Sequence, residues 1–424
     1  MTFLTLPASA VAAYVDDVLS TVRGSCPELA AEVEDLRRRM AEPPRFLVTG
    51  GGGTGRSTLV SALTGATVPA DRTPTLYCSA TRPHPSGVPD TVRVHRVAAS
   101  ALENLTLVDG DGPDCASCAD AVLHLVDREP GTADLTQMRD AGFGPLGTLL
   151  VVSRADEFGA GSLGSPDPVA DARSYAHALA GDATVWRTAV AVSPLLAVAA
   201  GRADATAHAR LAAYRGSAVA TALLRGDAPT VVLDDLVTFG TYGVLHGRSA
   251  PDDLGAWLTE ASGISDLRAL LLGPMAQAAL LRRAALVLEE ARQLRFATAD
   301  PAAVSAALED AADSPAAWRI RLFPEVARLA AEGMDAEAGS VSRAVESDSL
   351  RDLAGVPAAA AHVDVVNGLR DALRSVNLRL TGFTVPVVEA ALTSLSVVLR
   401  RAIAEAEVAL NGTPDRPGAR LWES

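Results

Sequence analysis

The sequence predicts an α/β domain with a mostly parallel, doubly wound sheet, joined to an all-α region. Between residue 46 and about residue 200, short apolar runs alternate with helical stretches, which is the pattern of strands and helices in a parallel sheet. Several of these runs are continuously apolar, as strands buried on both faces are. After residue 200 the strand patterns end. The composition, with 49% hydrophobic and only 4% aromatic residues, favours packed helices there.

Length, charge and cysteine content bound what the protein can be. A chain of 424 residues is too long for one core and should form two or three domains. Its formal charge of −14 disfavours nucleic acid as a partner. All 37 basic residues are arginine, a bias typical of G+C-rich genomes. Four scattered cysteines, no basic leader segment and no run of 18 apolar residues lead us to expect a soluble cytoplasmic protein.

The elements can be placed in order along the chain. Helical spacing covers residues 8–41, is interrupted near residues 24–27, and ends at Pro43 and Pro44. Strand candidates follow at Phe46–Thr49, Thr91–Val97, Leu105–Val108, Ala121–Val126, Leu149–Val152 and Thr188–Val192. Helices are predicted at 205–226, 230–245, 252–272, 276–296, 301–312, 322–346, 358–380 and 386–410. The predicted domains are N-terminal helices at 1–44, an α/β head at 45–275, a helical bundle at 276–411 and a disordered tail at 412–424.

The glycine-rich sequence GGGGTGRS, from Gly50 to Ser57, follows the first apolar run and precedes a helical stretch. Strand, glycine turn and helix form the context of a phosphate-binding P-loop, although Arg56 stands where lysine is expected. Glycines let backbone N–H groups approach a phosphate, and the helix start adds its positive dipole end. The Ser57 hydroxyl is placed to ligate Mg²⁺. A plain strand–helix turn can have the same pattern.

Two segments further along could sense a γ-phosphate. Thr73 and Thr75 are expected in a surface loop after the first helix, where Thr75 could reach Mg²⁺, although ordinary turn residues give the same pattern. The strand at 105–108 continues into the sequence DGDG, which begins at Asp109 and ends at Gly112. Such a motif places a carboxylate at Mg²⁺ and a flexible backbone N–H at the γ-phosphate. The second carboxylate, Asp111, is unusual there because it repels a phosphate unless it faces solvent.

Two more strand ends carry residues suited to a guanine base. Residues 149–152 lead into Ser153, Arg154 and, two residues later, Asp156. A carboxylate there can accept hydrogen bonds from N1 and N2 of guanine, a donor pair that adenine lacks, and Arg154 can lie flat on the base. Ser193 and Pro194 end the last strand, where a backbone N–H would meet guanine O6. Each pattern alone is more often a strand-end loop, but all of them in order predict a GTPase-type domain.

The predicted site is therefore a P-loop GTPase pocket for GTP or GDP with Mg²⁺. Its nucleotide-binding residues are Gly50, Gly53, Thr54, Gly55, Arg56, Ser57, Thr58, Asp109, Ser153, Arg154, Asp156, Ser193 and Pro194. The residues assigned to hydrolysis are Arg56, Ser57, Thr75 and Gly112, and those assigned to the metal are Ser57, Thr75 and Asp109. Catalysis would come from positioning and charge neutralisation, without a protein base.

At these residues the chain resembles the dynamin-like GTPases of bacteria, and within them the actinobacterial subgroup of isoniazid-inducible IniC. The resemblance is carried by Ser153–Gly161, Val192–Ala197 and Ser262–Arg268, and it covers about residues 1–296. It implies a GTPase head on a helical neck and trunk, with neck helices from before and after the head. It also implies nucleotide-dependent head-to-head dimerisation with itself or a paralogue, and membrane remodelling by a cytoplasmic protein peripheral to the inner face of the cell membrane.

The chain departs from that family at residues that support hydrolysis. Arg56 replaces the P-loop lysine, Gly52 and Gly53 stand where dynamins place a glutamine and a serine, and Asp111 replaces a proline. We therefore expect slow hydrolysis of GTP. Two alternatives stay open. One is a degenerate, non-hydrolysing structural subunit that pairs with an active dynamin-like GTPase, and the other is an ATP-dependent switch, against which Asp156 argues.

Three further patterns have simpler interpretations. The segment Leu380–Val388 is either an apolar tip that dips into lipid or a packed turn within a helical bundle. Cys115 and Cys118 lack the two further ligands that a metal site needs, so we expect neither a metal nor a redox role. The histidines of the α/β region have no metal-like spacing.

Overall fold

The computed structural model describes residues 8–68, 73–159, 161–181, 185–215, 217–225, 230–310, 314–382 and 385–412. The chain divides into two compact units. One unit is Ala41–Leu280, and the other combines Met1–Met40 with Leu281–Ser424. Of the tail predicted at 412–424, Gly412 is the last residue of α19, and the rest lies outside the described residues.

The first unit is built on a seven-stranded sheet in the order β3-β2-β4-β1-β5-β6-β7. Its strands are β1 (Arg45–Gly50), β2 (Thr75–Ser79), β3 (Arg93–Val97), β4 (Thr106–Asp109), β5 (Ala121–Val126), β6 (Thr148–Val152) and β7 (Thr188–Ala191). Every neighbouring pair is parallel except β2 with β4. β1, β5 and β6 are buried along their whole length, which explains their unbroken apolar sequences. The sheet is thus mostly parallel, as the alternating pattern predicts.

Helices surround this sheet. They are α3 (Arg56–Thr64), α4 (Pro113–Ser117), α5 (Thr132–Asp140), α6 (Pro168–Gly181), α7 (Pro194–Ala200), α8 (Ala205–Ala213), α9 (Val219–Leu224), α10 (Leu233–Gly247), α11 (Leu254–Ser262) and α12 (Ile264–Leu272). α3 and α12 share one hydrophobic core with β1 and β5. Arg268 of α12 also donates a hydrogen bond to the carbonyl of Ala62 in α3, at 3.3 Å. The helix that follows the glycine loop is therefore fixed on the sheet by apolar burial.

Thr75 lies in a buried strand, and its expected position in a surface loop is wrong. It is the first residue of β2 and is 2% exposed. β2 pairs antiparallel with β4, and Thr75 faces Asp109 in that register. The strand was missed because the short sequence TLYCS follows Pro74 and turn-forming residues. Its β-branched and aromatic side chains suit a pleated, buried surface once a partner strand supplies the hydrogen bonds.

The second unit is helical in its described residues. It contains α1 (Ala8–Ser25), α2 (Ala30–Ala41), the end of α13 (Pro274–Gln293), α14 (Pro301–Asp310), α15 (Pro315–Ala331), α16 (Asp335–Glu346), α17 (Leu350–Ala354), α18 (His362–Leu380) and α19 (Pro386–Gly412). α1 packs on α14 and α15, and α18 packs along α19. The single helix predicted at 322–346 is wrong: α15 and α16 are separated at Gly333, whose φ of 72° favours glycine.

Among the described residues, one stretch, Ile264–Phe296, is long and apolar enough to cross a membrane by length and composition. In its most apolar 18-residue window, 44% of the residues are buried in the protein. Leu267, Leu271 and Met275 belong to the core of the sheet unit. Because a core helix of a soluble protein meets the same criterion, this stretch is weak evidence for a membrane span.

Candidate functional site

The glycine loop between β1 and α3 has a backbone that only glycines adopt readily. Gly53 and Gly55 have φ values of 88° and 85°. A Cβ at Gly50 would lie 2.4 Å from the carbonyl oxygen of Leu125, so the loop runs hard against β5. The Thr54 hydroxyl donates to the carbonyl of Gly51 at 2.9 Å and holds the turn from inside. The loop therefore opens directly onto the N-terminus of a nine-residue helix, which is a favourable place for an anion.

Three of the predicted motifs meet at Gly55. A Cβ at this position would lie 3.5 Å from the Ser153 hydroxyl oxygen and 3.6 Å from Cγ of Pro194. Ser153 follows β6 and Pro194 begins α7. The carboxyl ends of parallel strands lie along one edge of the sheet, which is why motifs separated by about a hundred residues converge. The Ser153 hydroxyl is buried beside the loop and has no hydrogen-bond partner among the described residues.

Asp156 lies next to Ser193 in this cluster. The Ser193 hydroxyl donates to Oδ1 of Asp156 at 2.5 Å, and it accepts the backbone N–H of Leu196 at 3.2 Å, which caps α7. Asp156 is 3% exposed, and burial raises its pKa, with the Ser193 hydrogen bond opposing the rise. A Cβ at Gly240, where α10 is kinked with φ 67°, would lie 3.3 Å from Oδ2. Both carboxylate oxygens are therefore enclosed, one by a hydroxyl and one by the α10 kink.

Arg154 has the left-handed backbone that other described non-glycine residues avoid. Its φ is 55°, a conformation that costs an arginine about 1 kcal/mol. The strain places Asp156 in a short helical turn, Ala155–Glu157, at the end of β6. The Arg154 guanidinium is half-exposed and forms an ion pair with Glu157. Its predicted stacking on a base stays a prediction.

Ser57 and Asp109 form an oxygen pair suited to a hard cation. The Ser57 hydroxyl donates to Oδ2 of Asp109 at 3.4 Å. Burial raises the pKa of Asp109, while Arg56 and the Ser57 hydrogen bond oppose the rise and Asp111 adds to it. A hydroxyl and a carboxylate are ligands that Mg²⁺ accepts, with phosphate and water oxygens completing its shell. No cluster of three or more His, Cys, Asp or Glu side chains within the described part of the chain could hold a metal.

Thr75 is near this pair but differently arranged from the prediction. Its hydroxyl donates to the carbonyl of Thr73 at 2.8 Å, and the side chain is buried. Only its register position opposite Asp109 places it beside the candidate metal ligands. Gly112, the other predicted γ-phosphate sensor, has φ 96° and caps α4 at an exposed position.

Arg56 does not point into an open space. Its guanidinium forms an ion pair with the carboxylate of Asp111, with exposed side-chain fractions of 22% and 52%. The backbone before Asp111 packs closely against Cys115, because a Cβ at Gly110 would lie 2.7 Å from Sγ of Cys115. Sequence spacing could not reveal this pair, since the two residues are joined only through the fold.

A second group of polar residues behind the loop was also missed. Thr49, which directly precedes the glycine loop, lies with its hydroxyl 3.0 Å from Nδ1 of His124. Nε2 of His124 lies 3.2 Å from Oδ1 of Asp134, whose Oδ2 accepts the Gly131 N–H at 2.9 Å. Burial lowers the pKa of His124, with Asp134 opposing this effect. One feature of the sequence could have indicated this group: His124 lies within the otherwise apolar run of β5. A buried histidine needs hydrogen-bond partners.

Two cavities border the cluster without containing Asp156. One, of about 620 Å³, lies between α4 and α5 and has Gly112 at its rim. The other, of about 470 Å³, lies between α3 and α7 and is lined by Ser57 and Thr58. Thr58 is the third residue of α3. Cys115 is buried, and burial raises the pKa of its thiol to about 11.

No protein-family model matches the chain, and no curated protein matches its sequence. Chains of solved structures do match, and two of them come from an oligomerised bacterial dynamin pair described as a mechanism for long-range sensing and tethering of membranes. The first is 9% identical, covering 95% of this chain and 76% of the matched one, with a TM-score of 0.29. The second is 11% identical, covering 95% and 75%, with the same TM-score of 0.29. At these values the matches establish neither a family nor a function.

Proposed function

We propose that the chain is a guanine-nucleotide-binding protein of the P-loop GTPase type that hydrolyses GTP slowly. The observation that carries the proposal is the convergence at Gly55, where the glycine loop, Ser153 and Pro194 are in contact distance of one Cβ position. Parallel strands end along one edge of the sheet, and it is the predicted phosphate-binding and base-binding motifs that lie together there. The unpartnered buried hydroxyl of Ser153 gives the cluster an unused polar atom beside the loop.

The roles of the residues follow from this arrangement. The amides of the loop and the N-terminus of α3 would hold phosphates, with Arg56 neutralising charge. Ser57 and Asp109 would hold Mg²⁺, which supplies charge neutralisation at the phosphates when bound. Asp156 would accept hydrogen bonds from guanine, and Ser193 fixes the orientation of its carboxylate. Hydrolysis would depend on positioning and charge neutralisation, and we expect it to be slow.

We further propose that the protein is dynamin-like, within the bacterial branch of that family. The sequence resemblance at residues 153–161, 192–197 and 262–268 supports this proposal. The grouping of N-terminal and C-terminal helices into one compact unit also supports it, because the resemblance implies a neck from both ends of the chain. Assignment to the IniC subgroup, pairing with a paralogue or itself, and a cytoplasmic position at the membrane rest on the sequence resemblance.

A titration with fluorescent GTP and ATP analogues, followed by phosphate release with and without liposomes, tests the nucleotide proposal. We expect binding of the GTP analogue, weaker binding of the ATP analogue, and slow phosphate release. Binding of neither nucleotide at high micromolar concentration would remove the proposal. Equal affinity for the GTP and ATP analogues would contradict the role of Asp156 in guanine recognition. The hypothesis of an ATP-dependent switch would then remain.

A second candidate function is favoured by the Arg56–Asp111 ion pair. The one P-loop cation already has a protein carboxylate as partner, and Gly52 and Gly53 offer no side chain to position water. Both features suit a non-hydrolysing structural subunit that pairs with an active GTPase. Phosphate release distinguishes the two functions, since the subunit would bind nucleotide without releasing phosphate, alone or with liposomes.

Membrane contact would take place at the connection between α18 and α19. Leu378 and Val385, on either side of it, are 73% and 42% exposed. Phe383 and Thr384 lie outside the described residues. Apolar side chains exposed at a hairpin end suit insertion into a lipid headgroup region better than a packed turn. Deleting residues 380–388 should abolish co-sedimentation with liposomes, and retained binding would remove this assignment.

A further inference from the structure

The ion pair of Arg56 and Asp111 has a consequence for which nucleotide the loop prefers. We propose that the Asp111 carboxylate occupies the place of an anion on Arg56 and makes the site favour a nucleoside diphosphate over a triphosphate. This inference rests on the proposed nucleotide-binding function and deepens it. Its starting point is the contact itself: the guanidinium at the first position of α3 is already paired with a carboxylate.

The position of Asp111 decides which phosphate would be affected. It lies one residue before Gly112 and two after Asp109, in the segment that carries a candidate metal ligand and a candidate γ-phosphate sensor. The phosphates nearest the loop amides can be held by backbone N–H groups and the start of α3. A γ-phosphate would have to compete with the Asp111 carboxylate for the Arg56 guanidinium.

The backbone just before Asp111 is packed against two neighbouring residues. A Cβ at Gly110 would lie 2.7 Å from Sγ of Cys115 and 3.1 Å from Cβ of Pro74, so the backbone is enclosed on two sides. Cys115 is itself fully buried in the core beneath α4. The packing fixes where the Asp111 backbone lies, and the charge of Arg56 attracts its carboxylate.

The charges of the site also favour a diphosphate over a triphosphate. Arg56 carries one positive charge, and Asp109 and Asp111 carry two negative charges when both are ionised. A γ-phosphate adds at least one more negative charge beside Asp111, whereas a diphosphate ends before it. Because the Asp111 side chain is 52% exposed, solvent weakens the repulsion, and we expect a discrimination of about five- to tenfold rather than a complete exclusion.

Binding of fluorescent GDP and of a non-hydrolysable GTP analogue, each with Mg²⁺, tests the inference on the full-length protein. We expect the wild type to bind GDP about five- to tenfold more tightly. Asp111→Asn should tighten the triphosphate by about the same factor and change GDP affinity less than about twofold. Asp114→Asn is the matched control, because it removes the same charge three residues away, where Asp114 accepts a hydrogen bond from Thr91 and does not pair with Arg56. The control should leave the ratio of affinities unchanged.

The outcomes separate this inference from the function on which it rests. Equal affinity of the wild type for GDP and the triphosphate, or an Asp111→Asn variant with an unchanged ratio, would overturn the inference and leave nucleotide binding intact. Parallel tightening of both ligands would also overturn it, because Asp111 would then be a general repulsive charge. Binding of neither ligand to the wild type and to Asp111→Asn would overturn the proposed function and the inference together.

Discussion

The two carboxylate oxygens of Asp156 have different neighbours, and this difference bears on base recognition. Oδ1 accepts the Ser193 hydroxyl, and Oδ2 faces the kink of α10 at Gly240. A guanine that approached Oδ2, the oxygen that faces Gly240, would not have to displace the Ser193 hydroxyl. Burial raises the pKa of Asp156, so a base that donates two hydrogen bonds would stabilise its ionised form.

Asp156→Asn tests this role directly. An amide offers one acceptor and one donor, so it clashes with the guanine N1–H and N2–H and suits xanthine instead. We expect GTP affinity to fall by about ten- to a hundredfold and preference to shift toward XTP. Asp252→Asn, at an exposed position before α11, is the control. Unchanged GTP affinity in the Asp156 variant would exclude its assigned role.

His124 gives a prediction that is independent of nucleotide. Its pKa is lowered in the folded protein, whereas in the unfolded chain it is about 6.5. Above that pH both states are neutral and the residue contributes no pH dependence. As the pH falls through 6.5 the unfolded chain takes up a proton that the folded protein resists, so the free energy of unfolding should fall by up to about 1.4 kcal/mol per pH unit.

The measurement is the urea unfolding midpoint between pH 7.5 and pH 5.5. The groups that face His124 are the Thr49 hydroxyl and the carboxylate of Asp134, with Asp111 acting at longer range. The pKa of Asp134 is lowered, so its own contribution is lost only at more acidic pH, outside this window. His246, whose pKa is also lowered by burial, titrates in the same direction. His124→Asn should flatten the pH dependence, and the exposed His362→Asn should not; identical slopes in both variants would contradict the assignment.

At the level of elements, hydrophobic pattern predicted the positions of most strands, and the ends of those strands predicted the residues of the candidate site. All six predicted strands are present within two residues of their predicted ends. In β1, β5 and β6 continuous burial explains the continuous apolar sequence. β2 was not predicted, since its short sequence follows turn-forming residues and its hydrogen-bond partners are two other strands, β3 and β4. The Arg56–Asp111 and Thr49–His124 pairs were missed because each joins two elements that are far apart in the sequence, and such pairs follow no local spacing.

The junction of α11 and α12 positions the end of β7. Gly263 has φ 70°, and a Cβ there would lie 2.3 Å from the carbonyl oxygen of Ala191. The preceding Ser262 carbonyl accepts the Ser193 N–H at 2.8 Å. A close backbone approach at Gly263 thus fixes the residue that holds Asp156.

Gly263→Ala should be far more destabilising than Gly142→Ala. Both glycines have φ 70°, but a Cβ at Gly142 meets nothing within 4 Å. The control variant should cost about 1 to 2 kcal/mol for its left-handed backbone, and Gly263→Ala about 2 to 5 kcal/mol because a backbone shift is added. Chemical denaturation of the two variants measures the difference. Equal losses would show that the close approach to Ala191 is not a constraint.

At the scale of the whole molecule, the exposed apolar residues of α18 and α19 test membrane contact. Leu378 lies near the connection of the two helices and Val408 near the far end of α19, and they are 73% and 72% exposed. Leu378→Ser should lower liposome co-sedimentation several-fold, since burying one leucine is worth about 2 kcal/mol. Val408→Ser, equally exposed, should leave it unchanged. Equal effects of the two substitutions would mean that lipid binding is not localised at the connection.

Lipid charge gives a second readout of the same proposal. The chain carries a formal charge of −14, so anionic vesicles should not bind it more tightly than zwitterionic ones. Binding that rose steeply with anionic lipid would point to an arginine-rich surface instead of the apolar connection.

The pairing of β2 with β4 links two segments that the sequence treats as separate. Thr75 lies opposite Asp109, and the ladder continues through Leu76 with Val108 and Tyr77 with Leu107. The two strands are therefore coupled. Neither can move without moving the other or breaking the hydrogen bonds between them. Deuterium uptake at the amides of β2 and β4 would consequently change together, so hydrogen exchange can report a rearrangement beside Asp109.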